Sequence, residues 1–262
     1  MTMEYIHLSV IIPAYNEAKR ITSTLVSIDA YLKAQDYTYE IIVVDDGSTD
    51  KTIPVVGALL TTIENLYVIS KIKNAGKGDA VKSGMMVARG EYQLFMDADN
   101  SVKIDTVESF FKIMERGHDV VIGSIELDRA QVTEHNHAYR RVLGSLAKSL
   151  IRNIVTPGIY DTQRGFKLFT RHASHVIFPR QTIPRFGFDI ELIVIALAYD
   201  LSIREVPVEW DNPEGSKVSL IDYPRTFVEL FGTLANKYSG KYRSKSRQRN
   251  ILTTDERRRY AP

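Results

Sequence analysis

The chain predicts an α/β fold: a mainly parallel sheet with helices on both faces, followed by a C-terminal amphipathic helix. Three observations lead there. The first half alternates short runs rich in Val and Ile with helical patterns, the order expected of repeated strand–helix units. The runs are almost continuously apolar, as strands covered on both faces must be. Polar, turn-rich loops follow four consecutive runs, at the strand ends where such sheets bind ligands.

Strands are expected at 7–12, 40–44, 66–70, 92–96 and 119–122, where β-branched and aromatic residues cluster between turn signals. Between them, 21–35, 51–60, 78–88 and 104–115 read as helices. After the first strand come Pro13, Ala14, Tyr15, Asn16 and Glu17, and after the second Asp45, Asp46, Gly47, Ser48, Thr49 and Asp50. After the third come Asn74, Ala75, Gly76, Lys77 and Gly78. Asp45 or Asp46 can accept a hydrogen bond from a base or ribose, Tyr15 can cover a base, and the 76–78 turn lets backbone approach a ligand closely.

The fourth strand, Leu94, Phe95 and Met96, runs into Asp97, Ala98 and Asp99. Side chains two apart on an extended chain point the same way, so the two carboxylates converge at the strand's mouth. They are either a site for Mg2+ or Mn2+, which prefer oxygen ligands, or part of an ordinary polar turn through Ser101.

Composition sets outer bounds. With 262 residues, 44% hydrophobic and 25% charged, the chain has the mix of a soluble globular protein with a sizeable core. A net charge of +2 gives no global field for nucleic acid, although the C-terminal region is strongly basic. The absence of cysteine excludes disulfides, thiolate metal sites and a Cys nucleophile, and suits a reducing, cytoplasmic setting. The N-terminus shows no signal-peptide pattern, and no run reaches the roughly 18 to 20 apolar residues that span a bilayer.

Taken together, residues 10–17, 43–50, Asn74 with 76–80 and Gly84, and Asp97–Ala98–Asp99 resemble the family 2 glycosyltransferases of the GT-A (Rossmann-like) fold. The resemblance covers residues 6–125 most strongly. It implies a nucleotide-diphosphate sugar held by the first, second and fourth loops, with Asp97 and Asp99 binding Mg2+ or Mn2+ on the diphosphate. Nucleotide-sugar contacts would then fall to Pro13, Ala14, Tyr15, Glu17, Asp45, Asp46, Lys77, Asp97, Ala98, Asp99, Gln163 and Asp189.

The second half narrows the resemblance. Residues 161–169 (DTQRGFKLF), 185–192 (RFGFDIEL), 205–210 (EVPVEW) and 214–217 (EGSK) look like the polyprenyl-phosphate sugar synthases, and most like their dolichyl-phosphate β-glucosyltransferase branch. Mannose synthases generally carry a basic residue shortly before the Gly-x-Ser-Lys turn, where this chain has Asp211, Asn212 and Pro213. Nor does an Arg follow Gly123 and Ser124, where Ile125 stands. The acceptor phosphate is therefore expected to fall to Arg129, Arg140 or Arg141, with Lys217 expected as a second cation for the diphosphate. At the position of a further metal-ligating Gln stands Ser101.

The 138–155 segment has helical periodicity with Val142, Leu143, Leu146, Leu150 and Ile154 on one face and Arg141, Lys148 and Arg152 on the other. A second, buried helix is expected at 187–199, with one of Asp189 and Glu191 facing the active site and the other pairing with Arg164 or Arg185. At 224–238, Phe227, Leu230, Phe231, Leu234 and Tyr238 share a helical face. Lys237, Lys241, Arg243, Lys245, Arg247 and Arg249 follow with no acidic residue between Glu229 and Asp255. That pattern suits an anionic membrane surface, or equally a helix packed on the domain with a solvated tail. Two regions are expected: a glycosyltransferase domain at 1–222, and the helix and basic tail at 223–262.

The expected activity is inverting, metal-dependent transfer of a hexose, glucose from UDP-glucose, to a polyprenyl phosphate at a membrane surface, in the service of protein glycosylation. Its phosphate nucleophile is already an anion, so positioning and charge stabilisation by Asp97, Asp99, Arg140, Arg141 and Lys217 would dominate. The alternatives are a GDP-mannose-using synthase, or a transferase to a sugar hydroxyl with Asp189 as base. A nucleotide-sugar-binding regulator or a basic-tailed nucleic-acid binder stands further off, because no aromatic-basic interleaving supports nucleic-acid binding within the domain.

Overall fold

The structure, a computed structural model, describes residues 5–125, 127, 155–156, 158–211 and 222–242. Strands β1 (Leu8–Ala14), β2 (Tyr39–Asp45), β3 (Leu66–Ser70) and β4 (Tyr92–Met96) alternate with helices α1 (Ile21–Leu32), α2 (Thr52–Leu59) and α3 (Lys77–Met85). A 3-10 turn at Ile104–Thr106 leads into α4 (Val107–Met114) and then β5 (Val120–Ser124). The second half adds β6 (Phe166–Thr170), α5 (Arg171–Ile177), α6 (Phe188–Ala198), β7 (Ile203–Pro207) and α7 (Asp222–Tyr238).

The seven strands form one sheet in the order β3-β2-β1-β4-β6-β5-β7. Neighbours among β1 to β4 are parallel, as are β5 and β7, whereas β6 runs antiparallel to both β4 and β5. The chain switches direction across the sheet at β1, with β2 on one side and β4 on the other, which opens a crevice at the carboxyl ends of those strands. Reversed β6 begins where β4 ends, Phe166 pairing with Met96, so the residues just before β6 join the same edge. The carboxyl ends of β5 and β7 lie there too.

Period-two alternation divides the core between the two faces of the sheet. Leu8, Val10 and Ile12 of β1 face a cluster with Ile21, Leu25 and Ile28 of α1 and Val107, Phe110 and Phe111 of α4. Ile11 faces the other, with Ala80, Val81 and Met85 of α3 and most of α6. Helix α6 is buried from Phe188 to Ala196, which explains its apolar sequence and leaves Asp189 and Glu191 inside the protein. Helix α7 lies against α6. Its Leu234 packs on the core, whereas Phe231 and Tyr238, from the same predicted face, are exposed. The predicted helix at 138–155 and the basic tail beyond Tyr242 lie outside the described residues.

Candidate active site

At the carboxyl edge of the sheet is a cleft of about 450 Å³. Its walls include Pro13, Ala14, Tyr15, Glu17, Asp46, Lys77, Asp97, Ala98, Asp99 and Gln163, ten of the positions singled out in the sequence. Side-chain hydrogen bonds lock the loops together. Asn16, held at a φ of 54°, accepts from the backbone N–H of Thr49 at 2.8 Å, and its own N–H donates to Ser48 Oγ at 2.8 Å. Asp46 accepts from the N–H groups of Ala75 (3.0 Å) and Gly76 (2.7 Å), which binds the loop after β2 to the loop after β3. Gly76 has a φ of 117°, and a Cβ there would meet Pro184 O at 2.4 Å. No other residue fits that turn, which launches α3 with Lys77 at its first position.

The Asp97–Asp99 segment is held from both sides. Thr24 of α1 donates to the Ala98 carbonyl at 2.8 Å, and Asp97 N–H donates to the Gly165 carbonyl at 3.1 Å. Gly165 approaches so closely that a Cβ would lie 2.2 Å from Asp97 Oδ2. Lys77 Nζ sits 2.5 Å from Asp97 Oδ1, and Arg20 Nη1 lies 3.9 Å from Asp99 Oδ2. Ser101 N–H donates to Asp99 Oδ1 at 3.1 Å, and Ser101 itself lines the cleft.

These two side chains remain 31% and 23% exposed, and both face one cleft. Oxygen donors of that kind fit Mg2+ or Mn2+. Among the described residues no third His, Cys, Asp or Glu joins them, so substrate oxygens and water would complete the coordination shell. Burial opposes the charge on Lys77, but Asp97, Asp189 and Asp99 outweigh it and raise its pKa, which keeps it an ammonium.

Two candidates do not line the cleft. Asp45, at the end of β2, is buried; its Oδ2 accepts from Ser48 N–H at 3.1 Å, and its Oδ1 has no hydrogen-bond partner among the described residues. Asp189 is buried behind the wall and ion-paired with Lys167 of β6, which also donates to the Arg164 carbonyl at 2.6 Å. Burial pushes Asp189 up and Lys167 down, each opposed by the other's charge. Arg129, Arg140, Arg141 and Lys217 lie outside the described residues.

The expected partner of Glu191 needs correction. Among the described residues it pairs with neither Arg164 nor Arg185: its carboxylate accepts from Thr182 N–H and Oγ1, Ile183 N–H and Tyr242 OH, at 2.6 to 3.0 Å. Arg164 instead binds Asp161 at 2.9 Å and lies 4.8 Å from the Trp210 ring centroid. The structure also adds Arg20, Arg185, Phe186 and Trp210 to the cleft wall. Arg20 was legible as the i,i+3 partner of Glu17, which it grips through two nitrogens at 2.9 Å each. Trp210 arrives through the parallel pairing of β7 with β5, which the sequence does not announce.

Residues 9–178 match glycosyl transferase family 2. The chain is 36% identical over 235 residues to a dolichyl-phosphate beta-glucosyltransferase of Trichomonas vaginalis, covering 86% of this chain and 72% of that protein. The enzyme of that name from Homo sapiens is 35% identical over 229 residues, covering 80% and 69%. Among solved structures, mannosyl-3-phosphoglycerate synthase from Rubrobacter xylanophilus aligns with a TM-score of 0.67 at 18% identity, over 92% of this chain and 76% of that one. Glucosyl-3-phosphoglycerate synthase from Mycobacterium tuberculosis, in complex with Mn2+ and UDP-glucose, aligns with a TM-score of 0.58 at 21% identity, over 88% and 79%.

Proposed function

The chain belongs to glycosyl transferase family 2, and on that premise we propose that it transfers glucose from UDP-glucose to the phosphate of a dolichyl-type polyprenyl carrier, with inversion at the anomeric carbon. The observation that carries the reading is the convergence of Asp97 and Asp99 with Asp46, Lys77 and the 13–17 loop on one cleft. A phosphate oxygen of the acceptor attacks the anomeric carbon while the bond from that carbon to the diphosphate oxygen breaks, and UDP leaves with the electron pair. The nucleophile is ionised already, so no residue has to remove a proton.

Asp97 and Asp99 would hold a divalent cation, Mg2+ or Mn2+, which when bound would neutralise charge on the departing diphosphate. Lys77 keeps a positive charge beside them. Asp46 fixes the loops after β2 and β3 relative to each other, and the exposed Tyr15 ring covers the base. Asp45, buried at the end of β2, steadies the loop that follows through Ser48 N–H. A sugar-hydroxyl acceptor would want Asp189 as base, but that carboxylate is buried against Lys167 and does not line the cleft.

Among the described residues no helix is long and apolar enough to cross a membrane. The lipid carrier is met at the surface, on the cytoplasmic side, through the 223–262 region, while residues 1–222 carry the chemistry. The test is incubation with labelled nucleotide sugars, Mg2+ or Mn2+ and a polyprenyl phosphate. Label from UDP-glucose should enter the organic phase, and calorimetry should show UDP binding more tightly than GDP. GDP bound about tenfold tighter than UDP would replace this donor with GDP-mannose.

A further inference from the structure

Among the described residues four cations line the cleft, and three of them are committed. Arg20 is gripped by Glu17, Lys77 by Asp97, and Arg164 by Asp161 and the Trp210 ring. Arg185 lines the same cleft, half-buried, yet no ion pair or hydrogen bond to its guanidinium is recorded among the described residues.

Its backbone is nevertheless closely restrained. The Pro184 carbonyl accepts from Asp79 N–H at 3.0 Å, and Gln181 Nε2 donates to the Gly78 carbonyl at 2.8 Å, fastening this segment to the start of α3. Glu191 takes the Thr182 and Ile183 N–H groups from below. Glu229 of α7 accepts from Gly187 N–H at 2.8 Å on the far side. The stem of Arg185 lies over Gly76, the residue before Lys77, close enough that a Cβ at Gly76 would meet its Cγ at 2.7 Å. A rigid mount carrying an uncommitted guanidinium is preorganised for an anion, because little entropy remains to be lost on binding.

The reaction brings two phosphate groups into this cleft. On the donor side, Asp97 and Asp99 would hold the cation for the diphosphate, with Lys77 beside them. The acceptor's phosphate, itself the nucleophile, must approach past the carboxylates of Glu17, Asp46, Asp97 and Asp99 and needs a counter-charge of its own. A planar guanidinium can take two phosphate oxygens at once and leave the third free to attack. Phe186, next in the chain, also lines the cleft and presents an apolar ring to it.

We propose that Arg185 is the binding residue for the acceptor's phosphate, an isoprenoid monophosphate; this rests on the activity proposed above. The test uses the full chain with R185K and R185Q. Titration with UDP and Mn2+ reports the donor side and confirms a folded cleft. Titration with a short, water-soluble isoprenoid monophosphate in the presence of UDP reports the acceptor side, and steady-state kinetics gives a KM for each substrate.

R185Q should weaken isoprenoid-phosphate binding and raise its KM about tenfold or more, R185K should recover part of that, and UDP affinity should stay within about twofold. Unchanged acceptor binding overturns the proposal. So does a loss of UDP affinity as large as the loss for the acceptor, which would place Arg185 on the donor diphosphate. A wild-type protein that binds the isoprenoid phosphate but transfers no glucose to it would refute the donor assignment alone, and the binding comparison would still decide Arg185.

Discussion

Tyr242 donates its hydroxyl proton to Oε1 of Glu191 across 2.8 Å, so the chain beyond α7 reaches back into the core beneath the cleft. Glu191 is wholly buried, and the phenol is one of its few donors. Y242F keeps the ring and removes the hydrogen bond to a buried carboxylate. It should cost about 1.5 kcal/mol and lower the melting temperature by about 3–6 °C. An unchanged denaturation midpoint would show that the other donors suffice.

Replacing Asp99 with Asn keeps the shape and the contact with Ser101 N–H but removes one of the two charges proposed to hold the cation. D99N should lower kcat/KM about a thousandfold or more and abolish the effect of Mn2+ on UDP affinity, with the melting curve preserved. Wild-type activity in excess chelator would sink the idea.

Asp189 and Lys167 should behave as a structural pair. D189N leaves an ammonium buried opposite an amide and should cost about 3–5 kcal/mol of stability, measured by urea unfolding. Replacing both partners with apolar residues, K167M with D189L, should recover most of it. A general-base role would give the opposite pattern, lost turnover with stability intact.

The burial of Tyr242 changes how the basic tail has to be tested. A deletion from residue 237 removes Lys237, whose Nζ donates to the Val155 carbonyl at 3.3 Å, together with Tyr242 itself. It would therefore confuse lost docking with lost structure. Ending the chain after Tyr242 removes Arg243, Lys245, Arg247 and Arg249 and spares both contacts. That truncation should keep UDP affinity and reduce co-sedimentation with anionic vesicles at low salt, where each tail charge contributes about 1 kcal/mol. Equal sedimentation would move the membrane contact elsewhere.

Strands β3 and β4 were readable to the residue, and the opposed loops followed from them, because a doubly covered parallel strand writes itself as an apolar run. Asp97 and Asp99 do share one cleft, but not through strand periodicity: β4 ends at Met96, and the chain turns at 98–99 with Ser101 N–H on Asp99 Oδ1. Strand β6 was hidden: Lys167 interrupts Phe166 and Leu168, and a buried lysine makes sense only once Asp189 of a distant helix is known to meet it. Strand β7 was hidden too, because an edge strand carrying Arg204 and Glu205 has neither clean alternation nor continuity. The partners of Glu191 are mostly backbone N–H groups, which no residue type advertises. Arg185 stood in a segment that the sequence matched to relatives, but that none of the described residues pairs with its guanidinium is visible only in the fold.

The reversal of β6 also has a kinetic side. Among the described strands β5 hydrogen-bonds only to β6 and β7, both made much later in the chain, while β4 pairs on one side with β1 and on the other with β6. During synthesis the first four strands can assemble at once, but the outer edge of β4 then stays open until the ribosome has delivered Phe166–Thr170. For that interval the nascent protein displays one unpaired edge of an apolar strand that ends at Met96, a template for pairing with the wrong chain. Vulnerability to aggregation is thus concentrated in the stretch of translation between Met96 and Thr170, before the Gly165 wall of the cleft exists.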